Sequence, residues 1–175
     1  MVKVRVGCTI TALLGKQFAW DPKYVEDWIK TIFLDGKTVD DMDSAMIKDG
    51  STLALSAALP GLAGATLRRG GPLASLRSQI THREEKRPPR RQEGMITVKL
   101  FNLIARDVGP TLLKKGVYVR PRDLEMLFKD LPEQFWTGCK AARVDQKEID
   151  LPYLRGMEWG NACELVTLRV DWDGG

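Results

Sequence analysis

Side chains able to carry chemistry are sparse and scattered in this chain of 175 residues, which has one histidine, His82, and three cysteines, Cys8, Cys139 and Cys163. No Cys-x-x-Cys pair and no second histidine occur, so the spacing argues against a zinc site and against a disulfide framework. A Gly-x-x-x-x-Gly-Lys-(Ser/Thr) phosphate loop and a serine elbow are also missing, and the acidic residues fall in turns where they cap and solvate. The expectation is a protein that is not an enzyme and holds no bound cofactor or metal. Cys8 continues the alternation of Val2, Val4 and Val6 and reads as a small buried side chain on a strand. Cys163 reads the same way, whereas Cys139, between Gly138 and Lys140, is the one cysteine expected as an exposed loop thiol.

What remains is backbone chemistry at residues without side chains. Gly174 and Gly175 close the sequence, and Arg68-Arg69-Gly70-Gly71 offers a second diglycine inside it. The plain alternatives are a frayed end for the first and a loop rich in arginine and glycine for the second. Around these lies a repeat. Asp35-Gly36-Lys37-Thr38-Val39-Asp40 with Gly50, and Asp145-Gln146-Lys147-Glu148-Ile149-Asp150 with Gly160, share the same fifteen positions between first Asp and Gly. Each is followed by a β-rich run, Leu53 to Leu55 and Leu165 to Leu168. Two copies about 110 residues apart in a chain of this length predict two small units of about 80 residues each.

The elements that would position them follow from periodicity. Residues 2 to 10 alternate and are expected to pair with Phe18-Ala19-Trp20 as an opening hairpin across Gly15-Lys16. Asp21-Pro22 then starts a helix with Val25, Trp28, Ile29 and Ile32 on one face. A strand Ile32 to Leu34, turns at Asp35-Gly36 and Asp49-Gly50, and a central strand Thr52 to Ala57 complete the first half. Residues 72 to 81 fit a last strand or a short helix folded back. The second half repeats the order, with strands at Ile96 to Leu100 and Gly116 to Val119 around a turn near Gly109-Pro110. Next come a helix opened by Pro121 with Leu124, Leu127, Phe128 and Leu131 on one face, and a final strand Val166 to Trp172.

Between them, His82 to Gly94 lacks an apolar side chain to bury and contains Pro88-Pro89, so it reads as a linker. Eight of the 27 Lys and Arg residues lie between Arg68 and Arg91 against Glu84 and Glu85 alone, so the net charge of +4 belongs to this segment and the rest is slightly negative. That stretch has no aromatic residue for base stacking, which disfavours nucleic acid as a partner. Arg68, Arg69, Arg90 and Arg91 are instead candidate contacts for a protein partner. No apolar run approaches the roughly 18 residues of a membrane span, and Met1-Val2-Lys3-Val4-Arg5 alternates charge with valine where a secretory leader would be apolar, so a cytoplasmic address is expected.

Hairpin, helix, short strand, glycine turn and final strand within about 80 residues is the order of a β-grasp fold. Each half resembles the ubiquitin-like sulfur carriers, the family of the molybdopterin-synthase small subunit and the thiamine-biosynthesis sulfur carrier. The resemblance rests on the opening Val2 to Val6, on Leu34-Asp35-Gly36-Lys37, on Lys48-Asp49-Gly50 and on the closing Gly-Gly. It implies an α+β protein of two tandem ubiquitin-like β-grasp domains, each a mixed sheet packed on one helix, at 1–81 and 95–175, joined by the basic linker 82–94.

The resemblance also implies a function. A ubiquitin-activating type of adenylating enzyme, using ATP, would activate the Gly175 carboxylate. Sulfur transfer or conjugation to an acceptor protein would follow, the side-chain-free tail being what can thread a narrow channel. Superposing the repeat sets Gly64 and Ala65 against Gly174 and Gly175, yet the chain continues there, so a free carboxylate in the first half requires cleavage after Gly70-Gly71. The alternative function is a non-catalytic interaction module of two β-grasp domains that presents sheet edges and the basic linker to protein partners.

Overall fold

The computed structural model describes residues 1–74, 81, 90–160 and 163–172. It is a mixed α+β structure whose chain divides into two units: Met1–Val117 together with the chain from Arg169, and Tyr118–Leu168.

In the first unit β1 (Val2–Val6) buries Val2, Val4 and Val6 and turns Lys3 and Arg5 outward, as its alternation dictates. The expected opening hairpin does not form. Gly7, at φ 73°, redirects the chain into β2 (Cys8–Thr9), and Thr9 then caps α1 (Ile10–Ala12) by accepting the Ala12 N–H. The helical path continues as a π-turn over Leu13–Gln17. Ile10, Leu13, Leu14, Phe18 and Trp20 are all buried, so the apolar run that suggested a returning strand is consumed as helical packing. The Gln17 side-chain amide takes the place of a returning strand at Arg5, accepting its N–H and donating to its carbonyl.

Helix α2 (Pro22–Trp28) starts as its sequence predicts, the Asp21 carboxylate accepting the Lys23 and Tyr24 N–H groups with Pro22 in the first turn. Val25 and Ile29 face the core, but Trp28 is half exposed because the chain leaves the helix at Ile29 in extended conformation. Strands β3 (Thr31–Leu34) and β4 (Lys37–Thr38) form a hairpin across Asp35-Gly36, and β5 (Met46–Ile47) pairs with β2. Strand β6 (Thr52–Ser56) runs beside β3, and α3 (Gly61–Leu67) follows it.

The decisive element is β7 (Gln92–Phe101). It was expected to open a second domain, but it enters the first unit's sheet, giving the order β1-β7-β6-β3-β4. Its first half pairs antiparallel with β1, from Val6↔Gln92 to Val2↔Ile96. Its second half pairs parallel with β6, from Thr52↔Thr97 to Ser56↔Phe101. Helix α4 (Asn102–Lys115) follows directly, and Ile104, Val108 and Leu112, four apart, add one apolar stripe to the same core. A turn at Gly109-Pro110 was expected, yet the helix runs through Pro110: the stripe outweighs one lost backbone bond. The helix ends at Gly116, φ 99°, whose N–H reaches the Leu112 and Leu113 carbonyls.

The boundary between the units therefore falls after β7 and α4, not in the basic segment at 82–94, and the second unit is not a copy of the first. It contains β8 (Val117–Val119) from Tyr118 on, α5 (Pro121–Asp130), α6 (Glu133–Gly138), the hairpin β9 (Ala142–Val144) and β10 (Lys147–Ile149), α7 (Leu151–Gly156) and β11 (Val166–Leu168). Strand β11 pairs with β8. Leu124, Phe128 and Trp136 are the buried side chains of its core, with Val119, Leu131, Leu151, Leu154, Trp159, Val166 and Leu168 packed around them. The helix expected from Pro121 is present, with Leu124 and Phe128 inward as its spacing required, although Leu127 stays substantially exposed.

Candidate functional site

The repeated aspartate motif resolves into the same turn twice. Asp35 and Gly36 have φ 51° and 79°, and Asp145 and Gln146 have φ 49° and 68°. Two consecutive positive φ values are what a two-residue hairpin loop needs to match strand twist, with Leu34↔Lys37 and Val144↔Lys147 closing the two hairpins. In the first copy the spacing to Gly50 has a direct cause. The Asp35 carboxylate accepts the Thr52 N–H at 2.7 Å and the Ser51 hydroxyl at 3.1 Å, clamping the start of β6 to the end of β3. Gly50, φ 77°, makes the turn that delivers those donors, and its own N–H reaches the Met95 carbonyl on β7. Gly160 has φ 59° in the second copy, and the two residues after it lie outside the described ones.

The internal diglycine is folded down. The Arg69 N–H donates to the Lys30 carbonyl at 2.7 Å, the Arg69 guanidinium pairs with Glu26 at 2.8 Å, and the Gly70 N–H donates to the Asp40 carboxylate at 3.0 Å. Gly71 then donates to the Arg68 carbonyl and Ala74 to that of Gly71, so the backbone from 68 to 74 is coiled in turns, with Gly70 at φ 59°. A protease that processes after Gly71 takes an extended substrate, so these bonds must open first. Glu26 and Lys30 are contacts that sequence reasoning missed, no local signal marking them, and Asp40, singled out in the repeat, was not read as the partner of Gly70. Gly64, set against the terminal diglycine by the repeat, sits buried in α3 where its missing Cβ admits the Leu59 carbonyl. It is a packing glycine.

The four arginines read as candidate partner contacts fall at two places on the first unit's sheet. Arg68 and Arg69 lie at the end of the sheet where β3 begins, beside Lys30. Arg90 and Arg91 lie at the other end, where β1 finishes and β7 starts, with the Arg90 carbonyl so near Gly7 that a Cβ there would stand 2.6 Å from it. Both Arg90 and Arg91 are exposed. His82, most of the basic linker, and Gly174 and Gly175 lie outside the described residues.

The cysteines part company with expectation. Cys163 is exposed, not buried; Cys139 is half-buried, its thiol donating to the Ala141 carbonyl. Cys8 is half-buried between the Arg5 carbonyl, to which it donates, and the Gln17 amide, and burial pushes its thiol pKa up. That is the reverse of what activates a thiolate. The strongest perturbation is at Tyr24, whose hydroxyl donates to Asp107 on α4: burial, then the neighbouring Asp107 charge, pushes its pKa up to about 12. Both effects hold the phenol protonated, which suits a structural bond between α2 and α4.

Among the described residues no group of three or more His, Cys, Asp or Glu side chains could hold a metal ion, and no helix is long and apolar enough to cross a membrane. No family model, no curated protein and no solved structure matches this chain.

Proposed function

We propose that the protein is a ubiquitin-like carrier that acts by being recognised, its Gly174-Gly175 segment being adenylated by a partner enzyme for sulfur transfer or protein conjugation. The observation that carries this reading is the first unit's sheet. Five mixed strands with one parallel pair, β6 and β7, near its middle share one apolar core with Val25 of α2, Ile29 just after it, and Ile104, Val108 and Leu112 of α4, and a mixed sheet covered by helix is what supports the sulfur-carrier reading. The Asp35-Gly36 turn between β3 and β4 and the Asp49-Gly50 turn before β6 are further support for the reading. In this reading there is one ubiquitin-like sheet, completed by β7, and the second unit serves recognition. ATP is consumed by the partner and acceptor choice rests with it.

Incubation with ATP and an adenylating enzyme encoded near the gene is expected to give an acyl-adenylate on Gly175. Deleting Gly174-Gly175 is expected to abolish transfer with unfolding unchanged. Protein from its native host with an intact mass ending at Gly175 that forms no adenylate would sink the proposal. A second reading, a non-catalytic interaction module, draws on the second unit's exposed Met126, Phe135 and Tyr153, at 58%, 40% and 63% exposure. It is distinguished by partner binding that survives loss of the diglycine.

A further inference from the structure

Strand β1 has one sheet partner among the described strands, and that partner is β7, which comes some ninety residues later in the chain. Residues 1 to 74 alone supply β6, β3 and β4 as neighbours but leave β1 without a strand to lie on. The gap is filled by one continuous piece. Strand β7 brings Ile96, fully buried, between β1 and β6, and α4 brings Ile104, Val108 and Leu112 into the same core. Polar stitching accompanies the packing: the Met95 N–H donates to Asp49, Gly50 to the Met95 carbonyl, Thr97 to the Ser51 carbonyl, Lys115 Nζ to the Phe18 carbonyl and Tyr24 to Asp107. Gly94 fits because it lacks a side chain; a Cβ there would stand 2.8 Å from Asp49 Oδ1 and 2.9 Å from Val6 Cγ1.

We infer that residues 90 to 117 are a complementing strand-and-helix insert for residues 1 to 74, so that the two segments form a self-sufficient binding pair whose covalent connection through the basic stretch is dispensable once folded. The partner that the β1/β6 slot fits is therefore an extended apolar-alternating strand followed at once by an amphipathic helix. It follows that a cut at Gly71 or in the basic stretch leaves a two-chain protein and frees no ubiquitin-like fragment. This holds whether or not the proposed carrier function is correct.

The test uses the full chain with a recognition site for a sequence-specific protease inserted between Lys86 and Arg87. After complete cutting, denaturing electrophoresis shows two fragments, while size exclusion and native mass spectrometry at micromolar protein are expected to show one species of the uncut mass. Fragments that separate under native conditions overturn the inference, and so does a species of twice that mass, which would place β7 in a neighbouring copy. Adding Gly94→Val is expected to weaken the cut pair about tenfold or more by overpacking, and an unchanged pair would count against the slot. On the unaltered wild-type chain, hydrogen exchange supplies an independent check: β1 and β7 amides are expected to open in one cooperative step, and separate opening refutes the insert.

Discussion

The Asp35 clamp can be dissected because its two physical contributions respond differently to substitution. The side chain is exposed, yet one carboxylate oxygen accepts the Thr52 N–H and the other the Ser51 hydroxyl, while the residue itself sits at φ 51°. Loss of a carboxylate that satisfies a backbone donor in this cap-like way costs about 1–2 kcal/mol. Placing alanine in the left-handed region adds about 1 kcal/mol, a region that asparagine and glycine tolerate. Asp35→Ala is therefore expected to destabilise the first unit by about 2–3 kcal/mol, Asp35→Gly by about 1 kcal/mol or less, and Asp35→Asn by a similar small amount. Native-state hydrogen exchange of the β6 amides reads this directly, since the alanine variant should speed their global opening about 30- to 150-fold. If alanine costs no more than glycine, the positive φ is irrelevant and the hairpin account is wrong. If all three variants match the wild type, the carboxylate is not a clamp.

Three further outcomes follow from the same geometry. Gln146 holds φ 68° at the place where the first copy has glycine, so Gln146→Gly is expected to stabilise the second unit by about 1 kcal/mol, read as a higher urea midpoint for Trp136 and Trp159 fluorescence. Tyr24 has a folded pKa of about 12 against an ordinary value near 10, so its contribution is complete below the unfolded value and is lost as pH rises through the folded one. The phenolate absorbance missing from Tyr24→Phe should accordingly appear near pH 12 in the wild type, and appearance near pH 10 would remove the Asp107 bond from the account. Under native conditions an aromatic-disulfide thiol reagent should label Cys163 first and Cys8 last, because Cys163 is exposed and burial holds the Cys8 thiol protonated. Labelling of Cys8 at the rate of an unfolded control refutes its placement.

Elements whose determinants are local could be read from the sequence. Asp21-Pro22 carries its own cap and first turn, Pro121 with Leu124 and Phe128 carries a helix face, and Asp35-Gly36 and Asp49-Gly50 carry their positive φ. The partner of a strand is not local. Val2, Val4 and Val6 fix which face of β1 is buried, and Ile96, Val98 and Leu100 do the same for β7, but nothing in an alternation says that these two lie side by side across ninety residues. Phe18-Ala19-Trp20 reads as a returning strand, but the chain just before it closes as a helical turn over Leu13–Gln17, with Leu13 and Leu14 buried beside Phe18 and Trp20. The diglycine's docking is invisible for the same reason, since Glu26, Lys30 and Asp40 are remote in sequence from Arg69 and Gly70.

The repeat shows how far local information reaches. Both copies make the same turn, with φ values within about twelve degrees of each other at matched positions, although the second has no glycine at its second place. Beyond the turn the copies diverge. After Asp40 the first chain passes through β5 to β6, which lies between β3 and β7 with Leu53 and Leu55 fully buried. After Asp150 the second enters α7 instead, and its closing strand β11 pairs with β8, leaving Val166 and Leu168 only partly covered. Shared residues thus dictated a shared backbone angle, while the neighbours that each strand could reach dictated the sheet. The repeat that located the turns correctly does not carry burial with it: Cys163 is exposed, whereas Leu53, at the matching distance after the first motif, is buried between β6's two flanking strands.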